Sequence, residues 1–269
     1  MTHFEGSSSL ALRAPAVAGL FYEGDPARLQ RHVADLLGQV TADAGPAPRA
    51  LIVPHAGYAY SGQTAARAYA RLRPLQDRIR RVALFGPAHR VYLQGMAIPS
   101  VDAFSTPLGD IPLDRTALQS IATLPAVTVS DEAHREEHSL EVQLPFLQSI
   151  LADISLVPVV VGHCEPTAVA AVMNALWREP DTLLLVSTDL SHFHSYAEAR
   201  QLDKLTCERL LAREHDLTGE DACGAQALNG LMSTERGRSL DMELISMCNS
   251  GDTAGDRNRV VGYGAFALH

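Results

Sequence analysis

Lysine is nearly missing from this chain. Lys204 is the only one in 269 residues, so almost every cation is an arginine and a lysine Schiff base is excluded at every other position. Cysteine is sparse and scattered: Cys164, Cys207, Cys223 and Cys248 form no C-x-x-C pair. That spacing excludes a zinc knuckle and a redox dithiol, and leaves each as a free thiol. No window approaches the roughly 18 consecutive apolar residues of a membrane span. Met1–Leu12 has no basic region ahead of an apolar stretch, so no leader is indicated and the expected location is the cytoplasm. Clustered basic charge is lacking as well. Acidic residues outnumber Lys and Arg by 31 to 22, for a formal net charge of −9, which argues against a nucleic-acid footprint. No Pro/Ser/Gly-rich linker divides the middle of the chain.

What is present suits a soluble enzyme of one domain. The hydrophobic fraction is 46% and the charged fraction 20%, ordinary for a globular protein and wrong for a disordered one. Residues 1–12 read as a flexible lead-in and 13–269 as a single domain. Three apolar runs each end in histidine: Leu51–Val53 before Pro54-His55, Arg81–Phe85 before Gly86-Pro87-Ala88-His89, and Leu183–Val186 before Ser187-Thr188-Asp189-Leu190-Ser191-His192. Each reads as a buried strand. Between and around them the spacing predicts helices from Pro26 to about Leu37 with Asp25 as cap, from Ser61 or Gly62 to Pro74, and from Arg135 to Leu151 with a kink at Pro145. Further helices are expected over Pro166–Trp177, Tyr196 to about Ala212, and 220–233. A continuous apolar run at Ile154–Val161 and strands near Leu240–Met247 and Val260–Leu268 complete the alternation. Apolar strands alternating with amphipathic helices imply a three-layer α/β/α fold with a mostly parallel or mixed central sheet.

In open α/β sheets ligands bind beyond the carboxyl ends of the strands. His55 and His89 would therefore meet in one crevice if their strands are neighbours, although either taken alone reads more readily as a turn histidine. Two imidazoles need one or two further donors to hold a divalent ion. Asp189 and His192 bracket a short run in which a carboxylate can orient an imidazole for proton transfer; a helix cap with a surface histidine is the competing reading. Glu137 and Glu141 lie four apart, a spacing that is mildly unfavourable for like charge unless something positive sits between them. Cys223, beside Gly224, is expected near a helix N-terminus, where a thiolate is favoured. His163-Cys164 after a strand competes with it.

Taken together, several stretches resemble the Memo family. They are Arg13-x-Pro15-Ala16-Val17-Ala18-Gly19-x-Phe21-Tyr22, Pro54-His55-Ala56-Gly57-Tyr58-x-Tyr60-Ser61-Gly62, Gly86-Pro87-x-His89, Glu137-His138-Ser139-x-Glu141-x-Gln143-Leu144-Pro145, Ser187-x-Asp189-x-Ser191-His192, Ala222-Cys223-Gly224 and Val261-Gly262-Tyr263. The resemblance implies a fold like that of class III extradiol dioxygenases, which hold iron with two histidines and a glutamate. Carried over by position, it implies His55, His89 and Cys223 as metal ligands and His192 as acid-base. Asp189, Glu137 and His138 would line the pocket, with Tyr60 contacting substrate. A thiolate in place of a carboxylate widens the expected metals from iron to copper or zinc. The implied activity is metal-dependent redox chemistry on a small substrate. A non-catalytic metal- or peptide-binding scaffold and a zinc-assisted hydrolase are the alternatives. Family members occur beside AMMECR-like and radical-SAM proteins, which are the implied partners.

Overall fold

Four of the apolar runs are consecutive strands in space, and that adjacency organises the molecule. The computed structural model describes residues 10–40 and 45–269; most of the expected lead-in, residues 1–9, lies outside them. The strands are β1 (Leu12–Arg13), β2 (Ala50–Val53), β3 (Arg81–Pro87), β4 (Met96–Ile98), β5 (Ala103–Thr106), β6 (Gly109–Pro112), β7 (Val127–Val129), β8 (Ser155–Val161), β9 (Thr182–Ser187), β10 (His192–His194), β11 (Met242–Asn249) and β12 (Val260–Leu268). The main sheet runs β10-β12-β2-β9-β3-β8-β4-β7, with β11 also paired to β12. Its centre, β2-β9-β3-β8, is parallel, and β12 and β4 join it antiparallel on either side. The sheet is therefore mixed. β2 and β9 are buried throughout, as are β3 and β8 beyond their first residues, which is why they read as unbroken apolar runs rather than alternating ones. β1, β5 and β6 form a separate small sheet, so Leu12, the last residue of the expected lead-in, is a strand residue paired with Ala103.

Helices cover the sheet. They are α1 (Pro26–Gly38), α2 (Tyr58–Tyr69), α3 (Arg115–Ile121), α4 (Asp131–Arg135), α5 (His138–Glu141), α6 (Leu144–Ile150), α7 (Pro166–Leu176), α8 (Tyr196–Leu211), α9 (Ala225–Ser233) and α10 (Glu235–Ser239). One layer is built from α1, α2 and α6 in mutual contact; in the other, α7 packs on α9 and α3. The result is the expected single-domain α/β/α arrangement. No helix among the described residues is long and apolar enough to cross a membrane.

The expected helix from Arg135 to Leu151 is instead three short ones. Glu137 is extended (φ −80°, ψ 124°) and its carboxylate accepts the Ser139 N–H, which starts α5 afresh. Pro145 sits in the first turn of α6, where its missing N–H has no partner to lose, so it opens a helix rather than kinking one. The breaks turn Glu137 and Glu141 toward different partners. Glu141, fully buried, accepts from the Arg13 guanidinium, from the backbone N–H groups of Ala16 (2.7 Å) and Val17 (3.0 Å), and from the Tyr22 hydroxyl (2.5 Å). Arg13 also donates to the His134 and Glu137 carbonyls. One carboxylate thus ties residues 13–22 to the core.

Removing it would leave a buried guanidinium and two amides unpaired, and breaking a buried pair costs about 3–5 kcal/mol. Glu141→Ala is expected to lower stability by that order in urea unfolding, whereas replacing the exposed Glu208 should change it by less than about 1 kcal/mol. His134 gives a pH dependence. It is buried, its Nε2 donates to the Ala97 carbonyl (3.0 Å), and burial pushes its pKa down to about 4. The unfolded chain takes up that proton near 6.5, so His134 costs no stability above that pH and costs up to about 3 kcal/mol as the pH falls from 6.5 to 4. Unfolding midpoints across that window should fall more steeply for the natural protein than for His134→Gln; parallel slopes would contradict this.

Candidate metal centre

The geometry starts from the strand ends. β9 lies between β2 and β3, with Val53 opposite Ser187 and Phe85 opposite Val186. Neighbouring strands are about 4.8 Å apart, so the segments leaving β2, β9 and β3 emerge side by side. His55 follows β2, Asp189 follows β9 and His89 follows β3. The ring centroids of His55 and His89 are 5.2 Å apart. His138, at the start of α5, completes the cluster at 4.7 Å from His89 and 5.4 Å from His55. One ligand nitrogen from each of the three lies within 4.8 Å of the others. Cys223, just before α9, places Sγ 3.4 Å from His55 Nε2.

Hydrogen bonds determine which nitrogens are available. Ser187 Oγ donates its one proton to the Ser139 carbonyl (2.6 Å) and accepts from Gln143 Nε2 (2.8 Å). His55 Nδ1, 2.9 Å from the same oxygen, must therefore be the donor, and Nε2 carries the lone pair. Glu137 does the equivalent for His89: its two oxygens accept the His89 backbone N–H (2.6 Å) and ring Nδ1 (2.9 Å). A carboxylate holding one ring nitrogen fixes the tautomer and makes the other a better ligand. Burial would raise the Glu137 pKa, but bonds from the His89 ring and from the backbone N–H groups of His89 and Ser139 outweigh it and bring it down to about 2. His138 is different. Its Nδ1 is buried without a hydrogen-bond partner, 3.6 Å from Glu137 Oε1.

Burial disfavours the charged form of two of these imidazoles. Burial pushes His55 well below its ordinary range, with the neighbouring imidazoles adding to the effect, and takes His138 down to about 4. Burial, helped by the Asp189 charge, raises the Cys223 thiol to about 12. Asp189 is itself raised by burial to about 7, although its carboxylate accepts the His55 N–H at 2.8 Å. Two imidazoles held neutral by burial and a third held by Glu137 form a group that could bind a divalent metal ion, with the Cys223 sulfur beside His55. A thiol held protonated by burial becomes a thiolate once a positive charge is beside it.

Of the expected ligands, His55 and His89 fall in the imidazole group, whereas Cys223 touches His55 but lies outside that group. His138, expected only at the lining, belongs to the imidazole group itself. Glu137 lies behind His89, orienting it. Asp189 and His192 line an open cavity of about 600 Å³ with His138, Tyr60, Phe21 and Tyr263. Partial burial lowers the His192 pKa. His163 and Cys164 are not part of the cluster. The residues that single-site reasoning passed over are Ser187 and Gln143: both are buried polar side chains in the quoted stretches, and their role needs the three-dimensional neighbour. Gly224 is required by crowding, because a Cβ there would lie 2.7 Å from Thr188 Cβ.

Comparison with known proteins places the chain in a family. A sequence model described as Memo-like protein matches residues 13–267. The chain belongs to the Memo family. It is 34% identical to a MEMO1 family protein of Aquifex aeolicus, covering 94% of this chain and 98% of that one. Against a MEMO1 family protein of Archaeoglobus fulgidus the identity is 33%, over 96% and 99% of the two chains. An uncharacterized protein of Escherichia coli K12 shares the fold, with a TM-score of 0.53 at 14% identity, over 81% of this chain and 98% of that one. Within this Memo chain the sharpest test of the site's construction is Glu137→Gln. It leaves the three imidazoles in place but weakens the partner of His89, and loss of such support typically costs 10–100-fold in metal affinity. Competition titration with Zn(II) should show a loss in that range; an unchanged affinity would mean that Glu137 supports the fold only.

Proposed function

We propose that this Memo protein is a metal-dependent enzyme acting on a small organic substrate by redox, dioxygenase-like chemistry. The observation that carries the proposal is the convergence of three imidazoles, with a thiol against one of them, beside an open cavity that one of the three, His138, lines together with a fourth imidazole, His192. His55 and His89, with Cys223 or His138, would hold the ion. Once bound, an iron or copper ion would supply Lewis acidity and electron exchange with dioxygen.

The chain's own residues supply the rest. His192, half-buried in the cavity wall with its pKa lowered by desolvation, would accept or return a proton. Asp189, with its pKa near neutrality, can hold or release a proton beside His55. Phe21, Tyr60 and Tyr263 line the cavity and give it apolar surface for a substrate to pack against. Glu137 and Ser187 keep the two ligand rings from rotating.

Anaerobic purification followed by metal analysis tests this. About one iron or copper per chain is expected, with loss of at least tenfold in occupancy in His89→Ala and a change of metal preference in Cys223→Ser. Iron-loaded protein should bind nitric oxide at an open position, and His192→Ala should retain both metal and nitric oxide. Failure of the natural protein to take up iron, copper or zinc after anaerobic reconstitution would sink the proposal.

A further inference from the structure

The cavity lined by His138 and His192 has an uneven rim. Two arginines stand two residues apart in the loop before β12. Arg257 is committed: it lies over the Tyr196 ring at 4.4 Å and donates to the Gly251 carbonyl. Arg259, which lines the cavity, makes no ion pair or hydrogen bond among the described residues. Its guanidinium is held by an aromatic face alone, 4.7 Å from the Phe193 centroid. Phe193 has φ +66°, a left-handed conformation that a bulky side chain rarely adopts, and it is 61% exposed. The irregularity falls at the bulge of β10 between His192 and His194. An exposed ring on a strained backbone gains nothing from burial; what it does is support Arg259 directly beside the acid-base candidate His192.

We propose that Arg259, propped on Phe193, is the substrate-recognition residue of this site, and that the substrate is a small organic anion whose carboxylate pairs with the guanidinium while its apolar body lies against Phe21, Tyr60 and Tyr263. A guanidinium with its donors unspent is the side chain best matched to a carboxylate. Volume sets the size, since about 600 Å³ suits a compact organic molecule and not a polymer. Asp256 also lines the rim, but one of its oxygens accepts the Asn258 N–H at 2.7 Å within its own loop. The inference rests on the proposed function in taking this cavity as the substrate space.

Benzoate, its neutral analogue benzamide and the cation benzylamine separate the possibilities, with binding measured by calorimetry on zinc-loaded and metal-free full-length protein. Benzoate should bind about tenfold or more tightly than benzamide. That margin should shrink to about twofold in Arg259→Gln, recover in part in Arg259→Lys, and weaken in Phe193→Ala, with metal content unchanged in all three. Equal affinity for benzoate and benzamide, no detectable benzoate binding, or a preference for benzylamine would overturn the proposal. So would a benzoate preference that persists in Arg259→Gln and vanishes without metal, because the anion would then sit on the ion, and the metal-enzyme proposal would survive. If instead the natural protein takes up no metal but shows Arg259-dependent benzoate binding, the metal-enzyme proposal fails and this one stands.

Discussion

Parallel pairing of β2 with β9 and of β9 with β3 makes three chain segments leave the sheet side by side at spacings of about 4.8 Å. Everything at the site follows from that. His55 and His89 flank Asp189 because their strands flank the strand that delivers it. The Ser187 hydroxyl, the last residue of β9, lies within reach of the ring beside it and fixes that ring's tautomer. Because all three strands are buried on both faces, none can shift by one residue without exposing an apolar side chain and burying a gap. The register is therefore held by the core and needs no help from the site, so polar and strained groups can accumulate at the strand ends.

The short helix α5 joins fold and site through its two glutamates. Like charges four residues apart repel on one helix face, and the conflict is resolved by giving each its own partner. Glu137 caps α5 and accepts from His89; Glu141 closes on Arg13 and the backbone of residues 16 and 17. Arg13 reaches back to the carbonyl of Glu137, so the N-terminal segment and the residues orienting His89 share one hydrogen-bond network. Such a network is costly to satisfy in part and rigid when complete. That rigidity holds His138, the third imidazole, in place without a hydrogen bond to its own buried Nδ1.

Much of this was legible from residue order. The unbroken apolar runs named the central strands, since a strand buried on both faces has no polar alternation. Histidines placed just past two of those runs pointed to one crevice. Cys223 beside a glycine at a helix start pointed to the thiol that now lies against His55. The helical stripe through Leu140, Leu144, Leu147 and Leu151 was misleading. Its leucines are buried as expected, but a common buried face does not require one continuous helix, and the capping carboxylate of Glu137 breaks it.

Sequence alone determined the kinds of donor present, the layered α/β class and the strand ends from which the donors emerge, because burial on both faces and helical spacing leave marks on residue order. Only the tertiary structure decided which donors meet and in what protonation. His138 joins the imidazole group, Glu137 turns to His89 and Glu141 to Arg13, and Arg259 stands uncommitted over Phe193. Each of those outcomes depends on a partner tens of residues away, and those of His138 and the two glutamates also on desolvation that exists only once the layers have closed around them.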